Sequence, residues 1–265
     1  MTAFHALVIY RDSLPHGSIY SSVITALLAH AEQIRTMTIE QAAEICFTSP
    51  ATLSRLTRQL GYLGYADFRS SLDHACRNYF FENRVMPRIP DQTFHPGDEY
   101  LSRLGQVIEQ FRHTTDLELF HDAACAMHEA TSINLFVGEI PDFAMVQLQV
   151  DLTVAGKACR RYPSTSDQYA RAETLDENAF VILLYGGASL PSGKHTFSEV
   201  LSKLRERHVK LMLLAPRNAP LKRFPDDFLF SYDSTGTAMD NYLHEVILSM
   251  LTLTYRTLYL ENRSE

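Results

Sequence analysis

The stretch Thr38–Gly61, TIEQAAEICFTSPATLSRLTRQLG, constrains this chain more than any other part of it. Its punctuation predicts two short helices joined by a tight turn. Thr38 can cap the first helix, and Gln41 three positions later completes a T-x-x-Q capping box. Ile39, Ala42, Ala43 and Cys46 share the inner face of that helix, and the two alanines admit a second helix at close range. Ser49 caps the next helix, with Pro50 at its first position, where no N–H is needed. Gly61 after Leu60 is a stop signal.

The second helix has two chemically distinct sides. At about 100° per residue, Leu53, Leu56 and Leu60 cluster on one of them. Ala51, Arg55 and Arg58 point the other way, flanked by Thr52, Ser54 and Gln59. A helix that buries three leucines and presents two arginines among small polar residues suits the major groove. Arginine can read guanine or hold a phosphate, and small neighbours allow close approach. The N-terminal N–H groups add a further phosphate site. The candidate DNA-binding residues are therefore Ser49, Pro50, Ala51, Thr52, Ser54, Arg55, Arg58 and Gln59. A solvated amphipathic helix is the competing reading of α-helical arginines taken alone. The double cap and the alanine-rich first helix count against it.

Net charge on its own opposes this reading, since 24 Lys and Arg face 31 Asp and Glu, leaving −7. The distribution resolves the conflict. Residues 49–80 hold four Arg against two Asp, whereas residues 81–130 hold four Arg against nine acids. Phosphate neutralisation is local, so a DNA reader fits within an acidic chain. Four Cys, none paired as C-x-x-C, exclude a disulfide scaffold and a zinc ribbon and read as reduced thiols of a cytoplasmic protein. No apolar run approaches the roughly 18 residues of a membrane span, and Met1–Tyr10 lacks the basic start and cleavage site of a secretory signal.

The periodicity changes partway along. From Ser18 to about Arg112 it is helical only; Ile19, Val23, Ala26 and Leu27, for instance, share one face. Asn83–Gly97, NRVMPRIPDQTFHPG, breaks any helix and marks a boundary. Two helices follow, marked by Leu101, Leu104, Ile108 and Phe111 and by Leu117, Phe120, Ala124 and Met127. From residue 132 strands alternate with helices. The strands are Ser132–Val137, Ala158–Tyr162, Ala179–Tyr185, Val209–Leu214 and Asp227–Tyr232, and the helices Asp142–Ala155, Phe197–Arg207 and Ala238–Leu260. Continuous apolar strands between helices predict a parallel sheet covered on both faces. The last helix is apolar over much of its circumference, which predicts burial inside the domain or across a subunit interface.

The residues Thr38–Tyr65 resemble the RpiR family of bacterial transcriptional regulators. The family pattern lies on them without gaps, with Ala43, Ser49, Ala51, Thr52, Ser54, Arg55, Arg58, Leu60, Gly61, Gly64 and, just beyond, Phe68 in register. The trailing GYLGYADFRSSL is especially specific. Phe47 departs from the pattern by standing where the turn glycine belongs, and a left-handed conformation there would strain it. The resemblance implies an all-helical helix-turn-helix domain over residues 1–80 and a linker with connecting helix over 81–114. Residues 115–265 would form an αβα sandwich with a parallel sheet, a sugar isomerase (SIS)-like domain for effector binding and dimerisation. It also implies a double-stranded DNA operator, a phosphosugar-like effector and a homodimer or homotetramer.

The ligand loops depart from the family. Where it has G-x-G-x-S, this chain has Phe136-Val137-Gly138-Glu139-Ile140, which loses the hydroxyl and gains a carboxylate. Where it has S-H-S-G-E-T, residues 186–196 read GGASLPSGKHT, longer but still glycine-rich and leading into a helix. Backbone N–H groups and the helix dipole hold anions in such a loop. The candidate effector residues are Gly138, Gly186, Gly187, Ser189, Ser192, Lys194 and Thr196, with the alternative that the loop only connects strand to helix. His195 has no placed carboxylate or metal-ligand spacing beside it, so no catalytic residue, metal or cofactor is assigned. The function expected is DNA-binding transcription regulation of carbohydrate or related genes. The alternatives are a phosphosugar isomerase-like enzyme and a regulator whose SIS-like domain only dimerises.

Overall fold

The structure is a computed structural model, and it describes residues 3–15, 17–82, 85–86, 96–137, 143–162, 165–185, 196–221 and 227–261. The chain divides into two compact units, with the change falling between Phe81 and Glu82. The first is helical: α1 (Ala3–Ser13), α2 (Ile19–Ala29), α3 (Ala31–Ile34), α4 (Ile39–Ile45), α5 (Pro50–Gln59) and α6 (Tyr65–Glu82). One core joins these helices through Leu7, Ile24, Leu27, Ile34, Leu53, Leu56, Phe68 and Leu72, all fully buried. α1 is an addition to the expected elements; Ala3, Ala6 and Leu7 seal it onto the core at i, i+3 and i+4. Ile19, expected on the inner face of α2, is 73% exposed, and Ile24 takes the buried place instead.

The second unit is built on five parallel strands, β1 (Ser132–Phe136), β2 (Ala158–Tyr162), β3 (Ala179–Leu184), β4 (Lys210–Pro216) and β5 (Phe228–Tyr232), in the order β2-β1-β3-β4-β5. Its helices are α7 (Pro96–Thr114), α8 (Glu118–Glu129), α9 (Phe143–Val154), α10 (Thr165–Ala172), α11 (Phe197–Glu206) and α12 (Asp240–Tyr259). The strands alternate between two cores. Ile133, Leu135, Phe180, Ile182, Met212 and Leu214 pack with residues of α7, α8, α9 and α12. Phe136, Val181, Leu183, Leu211 and Leu213 pack with α10 and α11 on the opposite face. This is the αβα sandwich that the apolar strands predict.

Several elements differ from expectation. α10 carries few apolar residues, so the periodicity gave no sign of it. Pro96 opens α7 rather than lying in a breaker segment, because proline fits the first helical turn. Leu101 and Leu117 are 66% and 58% exposed, and of the expected α7 stripe only Phe111 is fully buried. α12 is buried along Leu243, Ile247, Leu248, Leu251 and Tyr255, whereas Tyr242 and Leu253 are exposed, so it is not enclosed all round.

Candidate nucleic-acid interface

The caps that place α4 and α5 form as the residue types dictate. Thr38 N–H donates to Gln41 Oε1 at 3.0 Å, and Gln41 N–H donates back to Thr38 Oγ1 at 3.4 Å. Ser49 Oγ accepts from Thr52 N–H at 3.1 Å. Between them the turn is a Schellman motif. Thr48 N–H donates to Ala43 O at 2.9 Å and Phe47 N–H to Glu44 O at 3.1 Å, with Phe47 at φ 49°. The turn therefore keeps the left-handed geometry suited to glycine, carrying phenylalanine in its place. α5 closes in the same way, with Gly61 at φ 88°, Gly61 N–H on Arg58 O and Tyr62 N–H on Thr57 O.

The motif after α5 locks the pair to α6. Tyr62 and Tyr65 flank Phe68 at ring distances of 5.4 and 6.3 Å. Tyr62 Oη and Ser71 Oγ hydrogen-bond at 3.1 Å, and Tyr65 Oη donates to Met37 O at 3.2 Å, just before the α4 cap. Thr57 is fully buried beside Leu53 and Leu56, a contribution that a wheel of leucines alone does not suggest.

Ala51, Arg55, Arg58 and Gln59 lie on the exposed side of α5. The arginines of the first unit divide sharply by partner. Arg11 pairs with Asp12, Arg35 with Glu32 and Asp73, and Arg77 with Asp73, while Arg69 donates to Met37 O. The side chains of Arg55 and Arg58 have no hydrogen bond or ion pair among the described residues. Gln59 accepts from Tyr10 Oη at 2.8 Å, which ties it to α1. Ser49 and Thr52 hydroxyls hydrogen-bond each other at 2.9 Å within the cap. Pro50 is exposed and Ser54 half-buried.

In the second unit the strand order reverses direction between β1 and β3, the switch point where open parallel sheets bind ligands beyond the strands' carboxyl ends. β1 ends at Phe136 and β3 at Leu184. Of the candidate effector residues, Gly138, Gly186, Gly187, Ser189, Ser192 and Lys194 lie outside the described residues, and Thr196 is exposed before α11. Two neighbours of the switch point escaped the sequence reading. Buried Gln168 donates to Val137 O at 3.2 Å and to Tyr162 O at 2.8 Å, tying the ends of β1 and β2. Glu245 of α12 accepts from Ala144 N–H at 2.9 Å, so a carboxylate already caps the first turn of α9. Sequence separation hides the Gln168–Val137 and Glu245–Ala144 contacts, which join residues 31 and 101 apart in the chain. Burial pushes the Cys46 thiol up to about 11 and Cys159 up to about 12, which keeps both protonated and unreactive.

Residues 20–78 match the model of the rpiR-family helix-turn-helix domain. No curated protein matches by sequence. Among solved structures, the Vibrio vulnificus NanR protein complexed with ManNAc-6P is similar at a TM-score of 0.50 and 18% identity, covering 98% of this chain and 94% of that one. The sugar isomerase domain of an RpiR transcription factor from Sphaerobacter thermophilus is similar at 0.51 and 14% identity, over 63% of this chain and 93% of that one. The first unit is thus a helix-turn-helix domain, the class of module that binds DNA. More particularly, it is an RpiR-family helix-turn-helix domain, and the second unit has a SIS-like fold. No helix among the described residues is long and apolar enough to cross a membrane.

Proposed function

We propose that this chain is a cytoplasmic transcription regulator that binds a double-stranded operator through α5 and senses a small anionic effector with its second unit, without catalysing a reaction on it. One observation carries the DNA reading: the Arg55 and Arg58 side chains are exposed and have no partner among the described residues, opposite buried Leu53, Leu56 and Leu60, while the other four arginines of the unit are engaged within the protein. Ala51 and Ser54 are small enough to let the helix approach the bases, and Pro50 with the Ser49 cap presents the helix N-terminus to a phosphate. Residues 1–80 act as the DNA-binding domain, 81–114 as linker and connecting helix, and 115–265 as the effector-binding and dimerisation domain.

Two half-sites require two copies. Val146, Val150 and Val154 recur every four residues along α9 and are 44%, 50% and 80% exposed, an apolar stripe suited to a second copy of the chain. A sugar-phosphate-like effector is supported by the likeness to NanR, which is complexed with ManNAc-6P; such an anion would bind beyond β1 and β3. Glu139 and the Glu245 cap on α9 favour a ligand of lower negative charge than the family's. The effector would change affinity by shifting the spacing of two recognition helices.

The test is selection of a duplex from a random pool by the full-length chain, followed by titration with Arg55→Ala and Arg58→Ala. Each variant should lose about tenfold or more in affinity, and Arg58→Ala should lower the salt slope by about one if it holds a phosphate. Wild-type affinity in both variants, with folding intact, rejects the assignment.

A further inference from the structure

We infer that Phe47 is itself a DNA contact, its ring packing against a thymine methyl at the edge of the half-site read by α5. The inference rests on the reading of α5 as the recognition helix.

Phe47 is 96% exposed, so its ring contributes almost nothing to the core. It also sits at φ 49°, in the left-handed region that bulky residues rarely enter. Neither folding nor solubility explains a phenylalanine there. The chain uses the same helix ending after α5 and α9, and places Gly61 at φ 88° and Gly156 at φ 80°. After α11 it uses His208 at φ 54°, a residue type that enters this region several times more readily than most. Phe47 is therefore the one described ending that holds a bulky aromatic residue in a strained backbone and leaves it in water. Strain that persists against an obvious relief points to a role outside the folded core.

Position decides the partner. Phe47 precedes the Ser49 cap by two residues, and in a helix-turn-helix the first turn of the second helix enters the major groove. The segment feeding that turn lies over the duplex. The base edges exposed in the major groove are polar except at the thymine C5-methyl, the group that a phenyl ring contacts. Arg55 and Arg58 supply charge and hydrogen bonds; Phe47 supplies apolar selectivity that they cannot.

The experiment uses the full-length chain and the duplex it selects from a random pool, together with a copy carrying uracil for thymine. Phe47→Gly and Phe47→Asn both suit the left-handed position, so each folds. Phe47→Gly should bind the selected duplex about tenfold more weakly, while amides of Leu53 and Leu56 exchange about fivefold more slowly, because the strain is gone. Uracil substitution should weaken the wild type by a similar factor and leave both variants indifferent. Wild-type affinity for both Phe47 variants, with Arg55→Ala weakened, overturns the role of Phe47 and leaves α5 as the reader. If Arg55→Ala also binds as wild type does, both readings fall. A loss at Phe47 that is the same on thymine and uracil duplexes overturns the methyl contact.

Discussion

His244 makes the second unit sensitive to acid, and the size of the effect follows from its surroundings. The side chain is 6% exposed, and its Nε2 is hydrogen-bonded to Tyr232 Oη at 2.8 Å. Burial lowers its pKa from 6.5 to about 4, against a smaller upward pull from Asp240. The folded chain thus holds His244 neutral over a range in which the unfolded chain takes up a proton. Stability is complete above pH 6.5 and declines as pH falls towards 4. The full difference, at about 1.4 kcal/mol for each pH unit, is about 3 kcal/mol. Between pH 7.5 and 5 the loss is about 2 kcal/mol. Amide exchange in β5 and α12, corrected for intrinsic rates, measures it on the full-length chain. His244→Gln keeps a hydrogen-bonding partner for Tyr232 and cannot titrate, so the difference between wild type and variant isolates the histidine. A difference that stays constant from pH 7.5 to 5 would refute the argument.

Other expectations concern a backbone, an interface and a cap. Gly61→Ala should destabilise the first unit by about 1–2 kcal/mol, seen as faster exchange of its core amides; nothing lies within 4 Å of the added Cβ, so the whole cost is backbone strain at φ 88°. Val150→Arg should convert the proposed dimer to monomer in analytical ultracentrifugation without unfolding the sandwich, because the residue is half exposed. Glu245→Gln should cost about 0.5–1 kcal/mol by weakening the α9 cap, and it should strengthen binding of the proposed sugar-phosphate-like anion in calorimetry; an unchanged affinity would place the anion away from α9.

Local chemistry made the helix-turn-helix legible. Its caps, its proline and its leucine face lie within 24 consecutive residues, and each hydrogen bond they predict forms between neighbours. Strands β1, β3 and β4 were legible for a related reason: buried on both faces, they read as continuous apolar runs. α10 was not, since a surface helix of eight residues rich in polar side chains carries no stripe. The role of Gln59 was hidden because its partner, Tyr10, lies 49 residues away on a helix that composition did not announce. Glu245 and Ala144 are separated by 101 residues. Long-range pairs of this kind depend on the sheet order, which periodicity does not encode.

The charge economy of the first unit constrains how the protein can work. Six arginines balance six acidic residues over residues 1–80. Four of the six are held by protein groups, which leaves Arg55 and Arg58 as the outward cations on α5. Two phosphate contacts give a salt slope of only about −2, far shallower than that of a protein making six to ten. One such domain therefore binds nonspecific DNA weakly. On the proposed reading, affinity comes from two copies on two half-sites, and selectivity from close contacts at the N-terminal end of α5. On the same reading, weak single-domain binding would also let a rearrangement of the second units release DNA. If each half bound tightly alone, changing the distance between halves would alter affinity little. Because each binds weakly, the full complex depends on their spacing, and a modest coupling of about 1–3 kcal/mol suffices to move the operator between occupied and free.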